Sequence, residues 1–115
     1  MPRWIICIFL LSNIGIFTQA QAASFRCELA KTKTEVKICA NRSLNDADVK
    51  MATTYQILIR LVPMGNRNII QEEQVKWLHL RNQCQGSFRC LQRQYLLRQQ
   101  ALELHMNRIY QQGPF

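Results

Sequence analysis

Three series of residues recur at alternating steps of three and four along this chain, and this spacing predicts helices from residue 44 to residue 109. The first series is Leu44, Asp48, Met51, Tyr55, Leu58 and Val62; the second is Ile70, Gln74, Trp77, Arg81 and Cys84; the third is Phe88, Leu91, Tyr95, Arg98, Leu102, His105 and Ile109. Because an α-helix has a period of 3.6 residues, each series lies on one helix face. Pro63, Gly65 and the turn at residues 85–87 separate the helices. Short connections make successive helices antiparallel, so we expect an all-α, small antiparallel helical bundle.

Residues 1–22 have the composition of a secretory signal peptide. Arg3 precedes a mostly apolar run over residues 4–17, and the Ala-Gln-Ala sequence at residues 20–22 is a typical cleavage site. The run is shorter than the roughly 20 residues that a membrane-spanning helix needs, and no later stretch is long and apolar enough either. We therefore expect cleavage directly after this site rather than an anchor. The mature product is then a single helical domain of residues 23–115, in the periplasm or outside the cell.

Four cysteines remain after the signal peptide: Cys27, Cys39, Cys84 and Cys90. An even number in an exported chain indicates two disulfides, and four cysteines allow three pairings. We favour the local pairs Cys27–Cys39 and Cys84–Cys90, because each spans a predicted turn between helical segments. Each would stabilise the fold by roughly 2–3 kcal/mol, and the first would hold a short predicted helix near residues 34–40 to the bundle. The alternative is a metal site, but no two cysteines have the C-x-x-C spacing, so we expect neither a metal nor a cofactor.

Charged residues interrupt all three series. Asp48 lies in the first, Arg81 in the second and Arg98 in the third. An isolated buried charge is costly, so we expect these three side chains to form an internal ion-pair cluster on the facing helices. The alternative is that Asp48 is a catalytic acid or base. That chemistry usually needs a second titratable group nearby, and arginines that stay protonated do not supply one.

The same residues resemble a known family. The first half of its pattern is Ser24-Phe25-x-Cys27, followed by Leu44, Asp48 and Tyr55; the second half is Gln74-x-x-Trp77-Leu78-x-x-Arg81-x-x-Cys84, then Cys90-Leu91-x-x-x-Tyr95-x-x-Arg98. This pattern is similar to that of small exported bacterial proteins named for the N-terminal domain of the lysozyme inhibitor LprI, over about Ser24 to Leu104. The resemblance implies a helical, disulfide-linked, non-enzymatic envelope protein. It also implies an activity, the inhibition of host lysozyme.

The formal net charge of the chain is +8, and the charge is unevenly distributed. Most acids lie in the first two-thirds of the chain: Glu28, Glu35, Asp46, Asp48, Glu72 and Glu73. Common animal lysozymes are basic, so an inhibitor of this charge needs local segregation to avoid repulsion. We expect an acidic-edged patch at the N-terminal end to supply it.

The last predicted helix is basic and rich in glutamine. Its residues Arg89, Arg93 and Arg108 are candidates for a surface that binds an anionic partner, such as a cell-wall polymer, a lipid headgroup or an acidic protein. The simpler interpretation is an ordinary solvated helix face. Nucleic acid is not expected as the partner, because the chain is exported and carries no recognition motif.

No enzyme class is supported by a motif. The sequence has no nucleophile elbow, phosphate loop, metal signature or spaced carboxylate pair, and His79 and His105 are isolated from each other. The first hypothesis, an exported binding protein that acts as a lysozyme inhibitor, is the one that the resemblance implies. The alternative is a structural or accessory envelope protein that associates with anionic cell-wall or membrane polymers through its basic C-terminal helix.

Overall fold

A computed structural model describes residues 23–113, and the predicted signal peptide of residues 1–22 lies outside the described residues. In the described part of the chain, a 3-10 turn precedes four α-helices and no strand forms. The turn is Cys27–Leu29, and the helices are α1 (Lys33–Ala40), α2 (Arg42–Leu61), α3 (Met64–Asn82) and α4 (Phe88–Gln112). The prediction of an all-α fold is therefore confirmed.

The long helices α2, α3 and α4 run up, down and up. Trp77, late in α3, donates its indole N–H to the carbonyl of Gln94, early in α4. Glu73, earlier in α3, contacts His105, later in α4. The earlier residue of α3 contacts the later residue of α4, and the later residue of α3 contacts the earlier one. The helices α3 and α4 are therefore antiparallel, as the short connection predicts.

The helices α2 and α4 run parallel and pack against each other more extensively than any other pair. Asp48 and Thr54 of α2 contact Tyr95 and Gln99 of α4, in the same order along both helices. This arrangement follows from the topology, because two consecutive antiparallel turns bring the first and third helices into the same direction. Because α2 and α4 are parallel and adjacent, Asp48 of the first series lies next to Tyr95 of the third.

The three predicted series form the core of the bundle. All of their members are buried except Tyr55, Phe88 and His105, which are half-buried. The short helix α1 adds Thr34 and Ile38, which are 1% and 0% exposed. The steps of three and four therefore identified the buried face of each long helix.

Both disulfides lie at one end of the bundle, which we call the disulfide end. Cys27–Cys39 joins the 3-10 turn to the C-terminal part of α1, and Cys84–Cys90 joins the end of α3 to the first turn of α4. The two regions touch, because the hydroxyl of Thr34 donates to the carbonyl of Asn82 over 3.4 Å. The predicted pairing is confirmed, and the two cross-links hold α1 and the α3–α4 connection together.

Candidate functional site

A buried carboxylate occupies the centre of the bundle near the disulfide end. Asp48 is 0% exposed and accepts two hydrogen bonds of 2.7 Å, from the hydroxyl of Tyr95 and from the backbone N–H of Ser24. Arg81 Nη1 lies 3.8 Å from Asp48 Oδ1. Three elements therefore converge on one carboxylate: the N-terminal segment, α3 and α4. Such contacts compensate for the loss of water around a buried charge.

The guanidinium of Arg81 is fixed by groups other than Asp48 as well. Its Nε and Nη2 donate to Asn82 Oδ1 over 3.2 and 3.0 Å, and its Nη1 donates to the Tyr95 hydroxyl over 3.4 Å. The guanidinium carbon also lies 6.0 Å from the ring centroid of Phe25 and 5.8 Å from that of Trp77. A cation within about 6 Å of an aromatic ring centroid is attracted to the ring face. Arg81, Tyr95 and Asp48 thus form a hydrogen-bonded chain inside the protein.

Arg98 lies apart from this chain and makes a second cluster. Its Nε donates to Gln74 Oε1 over 2.9 Å, and its Nη1 lies 3.5 Å from Glu73 Oε2, which is also 3.2 Å from His105 Nε2. The expected three-residue cluster is therefore divided, with Arg81 beside Asp48 and Arg98 beside Glu73.

The division has a simple geometric cause. Tyr95 occupies the position on α4 that faces Asp48, and Arg98 is three residues further on, about 4.5 Å along the helix axis. There its side chain meets Gln74 and Glu73 of α3. Burial lowers the pKa of the Arg98 guanidinium from its ordinary value, and the nearby Glu73 carboxylate acts in the opposite direction.

The hydroxyl of Tyr95 supports a prediction for alkaline pH. Burial, and after it the Asp48 carboxylate, raise the pKa of Tyr95 well above its ordinary value, while Arg81 acts to lower it. The folded state then holds this proton more tightly than the unfolded state does. Its contribution to stability is complete below about pH 10, the ordinary tyrosine pKa, and is lost progressively as the pH rises further. Urea unfolding at increasing pH should show stability falling above that value.

The matched variant for this test is Tyr95→Phe, which has no phenolic proton. It should be less stable at neutral pH, because the hydrogen bond to Asp48 is lost. Its stability should nevertheless fall less steeply above about pH 10 than that of the wild type. Equal slopes for the two proteins would contradict a raised Tyr95 pKa.

The arginines of the candidate anionic surface are all exposed, but they do not form one patch. Arg89 and Arg93 are one helical turn apart on α4. Arg108 lies about 22 Å further along the helix axis, fifteen residues at 1.5 Å each. Arg108 lines a crevice together with Glu73 and His105, and neither Arg89 nor Arg93 is part of it. The ion pairs of the described residues include none of the three arginines.

The acids near the N-terminus differ in their exposure and in their partners. Asp48 is in the interior, so it contributes no surface charge. Glu28 lies 3.8 Å from the guanidinium of Arg26, and Glu35 accepts a hydrogen bond from the backbone N–H of Lys31. Asp46 is exposed, so an acidic-edged patch at the N-terminal end stays a prediction, and the structure removes only Asp48 from it.

Two contacts of the interior were absent from the sequence-based prediction. The backbone N–H of Ser24 has no signature in the spacing of side chains, although its segment Ser24-Phe25-x-Cys27 is part of the family pattern. Tyr95 was placed in the core series without a polar partner. The available signal was the position of Tyr95 in the same core series as Arg98. A tyrosine at a buried position usually finds a hydrogen-bond partner for its hydroxyl, so a polar partner was to be expected.

The described residues contain neither a metal-site cluster nor a membrane-spanning helix. No group of three or more His, Cys, Asp or Glu side chains in residues 23–113 is arranged to hold a metal ion. Over the same residues, no helix combines the length and the apolar composition that crossing a membrane requires.

Comparison with known proteins gives one family. The model of the family described as lysozyme inhibitor LprI matches residues 27–112, which include all four helices and both disulfides. No curated protein and no solved structure matches the chain.

Proposed function

The chain belongs to the lysozyme inhibitor LprI family, and from this premise we propose that it is an exported protein that binds and inhibits a lysozyme. Family membership and two disulfides indicate an extracellular or envelope protein. We propose in addition that a signal peptide is removed after Ala22. Residues 23–115 then act as one domain, without a cofactor.

The observation that carries the proposal is the extent of the family match. It spans the bundle from the first cysteine of the 3-10 turn to the last residue of α4. The polar groups that most resemble a catalytic site are used inside the protein, since Asp48 is fully buried and hydrogen-bonded to Tyr95 and Ser24. Because Asp48 and its partners hold the interior together and are not open to a substrate, we propose that the chain acts through its surface. This supports binding rather than catalysis.

The basic surface formed by Arg89 and Arg93 is compatible with a lysozyme as the target, because the charges of a lysozyme are not evenly distributed. Lysozymes of the common type are basic overall, but they cleave glycosides with a pair of carboxyl groups in the substrate cleft. Exposed arginines of the inhibitor can therefore meet local negative charge there, even though the two net charges repel. The outward-facing Arg89 and Arg93 supply such groups on α4.

A second candidate function has one specific observation in its favour. Arg89 and Arg93 are adjacent and exposed, and the sequence contains no acid between Glu73 and Glu103. The same surface suits a structural or accessory envelope protein that associates with anionic cell-wall or membrane polymers. Binding of that kind rests mainly on long-range electrostatic attraction, so it should weaken steeply as salt increases.

Binding measurements with oxidised residues 23–115 separate the two functions. We expect saturable binding of near-equal stoichiometry to at least one lysozyme type at physiological salt, measured by calorimetry. An anionic polymer such as teichoic acid or a vesicle of anionic phospholipid should bind weakly, and only at low salt. Binding to the polymer but to no lysozyme type would favour the second candidate and reject the first.

A further inference from the structure

The connection between α3 and α4 is a closed loop on the surface of the disulfide end. We define the closed loop as residues 84–90, whose ends are joined by the Cys84–Cys90 disulfide. Cys84 is buried, whereas Gln85, Ser87 and Arg89 are exposed. The loop therefore presents an amide, a hydroxyl and a guanidinium to solvent from a cross-linked connection.

The backbone of the closed loop is fixed by hydrogen bonds as well as by the disulfide. The N–H groups of Gln85 and Ser87 donate to the carbonyls of Asn82 and Cys84 over 3.2 and 3.0 Å. The Ser87 hydroxyl accepts from the N–H of Cys90 and caps α4. Each exposed side chain of the loop thus projects from a main chain with little conformational freedom.

Two consecutive residues of the loop have left-handed backbone conformations, Gln85 with φ 48° and Gly86 with φ 82°. A Cβ atom at Gly86 would lie 3.3 Å from the carbonyl oxygen of Lys33, so the loop packs closely on the start of α1. Helix α1 is itself cross-linked to the preceding turn by Cys27–Cys39. Both disulfides therefore support the same surface, and a preordered loop loses less entropy on binding.

A cross-linked, exposed loop that carries an arginine fits a cleft that carries negative charge. Substrate sites are typically clefts, and the cleft of a lysozyme contains two catalytic carboxyl groups. The main alternative surface is the groove between α2 and α3, whose exposed apolar residues include Ile57 and Val75. That groove is itself concave and does not enter a cleft. The closed loop is cross-linked and hydrogen-bonded, it contains the exposed Arg89, and Arg93 follows one helical turn later.

Resting on the proposed function, we propose that the closed loop is the inhibitory element and enters the substrate cleft of the lysozyme. In this arrangement Arg89 faces the catalytic carboxyl groups, and Gln85 and Ser87 form hydrogen bonds to groups that otherwise hold the sugar. Arg93, one turn away, lies at the rim of the contact. The inhibitor then competes with the polysaccharide for the same site.

Two arginines of α4 give a matched test. Arg89→Glu and Arg108→Glu make the same charge change at exposed positions of α4. Arg89 lies inside the closed loop, whereas Arg108 lies far from it. We expect Arg89→Glu to raise the inhibition constant by about 30-fold or more, as for a central contact residue. Arg108→Glu should change it by no more than about twofold, the size of a distant electrostatic effect. Equal losses in both variants would overturn the proposal, because net charge alone would then explain them.

A second pair of variants keeps the test valid if Arg89→Glu impairs folding. Gln85→Asp places a carboxylate in the loop, and aspartate tolerates the left-handed conformation better than most residues. Gln111→Asp makes the same change at an exposed position near the end of α4. Circular dichroism should show both variants folded, and only Gln85→Asp should lose inhibition. In addition, a short oligosaccharide of cell-wall sugars should compete with the wild-type chain for lysozyme.

The outcomes distinguish this inference from the function on which it rests. Wild-type inhibition that survives both loop substitutions, or that the oligosaccharide does not relieve, would overturn the closed loop as the inhibitory element and leave the function standing. A folded wild-type chain that inhibits no lysozyme would reject the proposed function, and the inference with it.

Discussion

Replacing Asp48 with alanine is expected to destabilise the fold by about 3 kcal/mol. The carboxylate is fully buried and partners the Tyr95 hydroxyl, the Ser24 N–H and the Arg81 guanidinium. Its removal leaves Arg81 as an interior charge without its counter-ion and leaves the Tyr95 hydroxyl without its acceptor. Both consequences add to the cost, because buried polar groups without partners keep the full penalty of lost hydration. Urea unfolding at neutral pH measures the effect as a shift of the midpoint.

The matched control for Asp48 is Asp46→Ala, two residues earlier on the same helix. Asp46 is exposed, so its removal should change stability by no more than about 0.5 kcal/mol. An unchanged unfolding midpoint for Asp48→Ala, or equal effects of the two substitutions, would contradict the central role of the buried carboxylate.

Replacing Trp77 with alanine is expected to cost about 3–5 kcal/mol, the range for large aromatic residues in a core. Trp77 is 5% exposed and packs edge-on against Tyr95, with ring centroids 5.1 Å apart. Its indole N–H donates to the carbonyl of Gln94 over 3.1 Å, and its ring lies beside Arg81. The substitution therefore opens a cavity between α3 and α4 at the place where the buried chain of polar groups is held. Thermal unfolding followed by circular dichroism measures the loss.

Two further variants separate packing from hydrogen bonding at this position. Trp77→Phe keeps an aromatic ring and removes the donor, so it should cost less than the alanine substitution. Leu80→Ala removes a side chain that is 50% exposed on the same helix, and its effect should be small. A similar loss for Leu80→Ala and Trp77→Ala would show that α3 is not anchored through Trp77.

The sequence predicted those features of the fold that follow from helical period and local spacing. A buried helix face repeats every 3.6 residues whatever surrounds it, so the three series marked the core residues, such as Leu58 and Leu102, directly. The pairing Cys84–Cys90 is similarly local, because few residues separate the two cysteines and a turn brings their helices together. These features need no knowledge of how the helices are rotated against each other.

The partners of the buried charges depend on how the helices are rotated and shifted along one another, which the period of a single helix does not specify. Arg98 was predicted to share a cluster with Asp48, but a shift of three residues along α4 places it against Glu73. The contact from Ser24 comes from a backbone N–H, which every residue except proline possesses and which therefore leaves no pattern. The left-handed conformation of Gln85 was unpredicted for a related reason, since glutamine shows no preference for it.

The family pattern describes the fold more closely than the binding surface. Its residues Trp77, Arg81 and Tyr95 are buried and hold one another in place, so they cannot contact a partner directly. A shared fold does not by itself specify the partner, which is recognised by surface residues. The residues of the proposed inhibitory surface are therefore expected among exposed side chains such as Arg89, which is not part of the family pattern.

The most direct measurement is the titration of several lysozyme types with oxidised residues 23–115 at physiological salt, with cell-wall hydrolysis as the readout. The proposed function predicts that activity of at least one type falls to a plateau near equal molarity, and that reduction of the disulfides weakens this inhibition. Undiminished hydrolysis by every lysozyme type, with the chain shown folded by circular dichroism, would contradict the account.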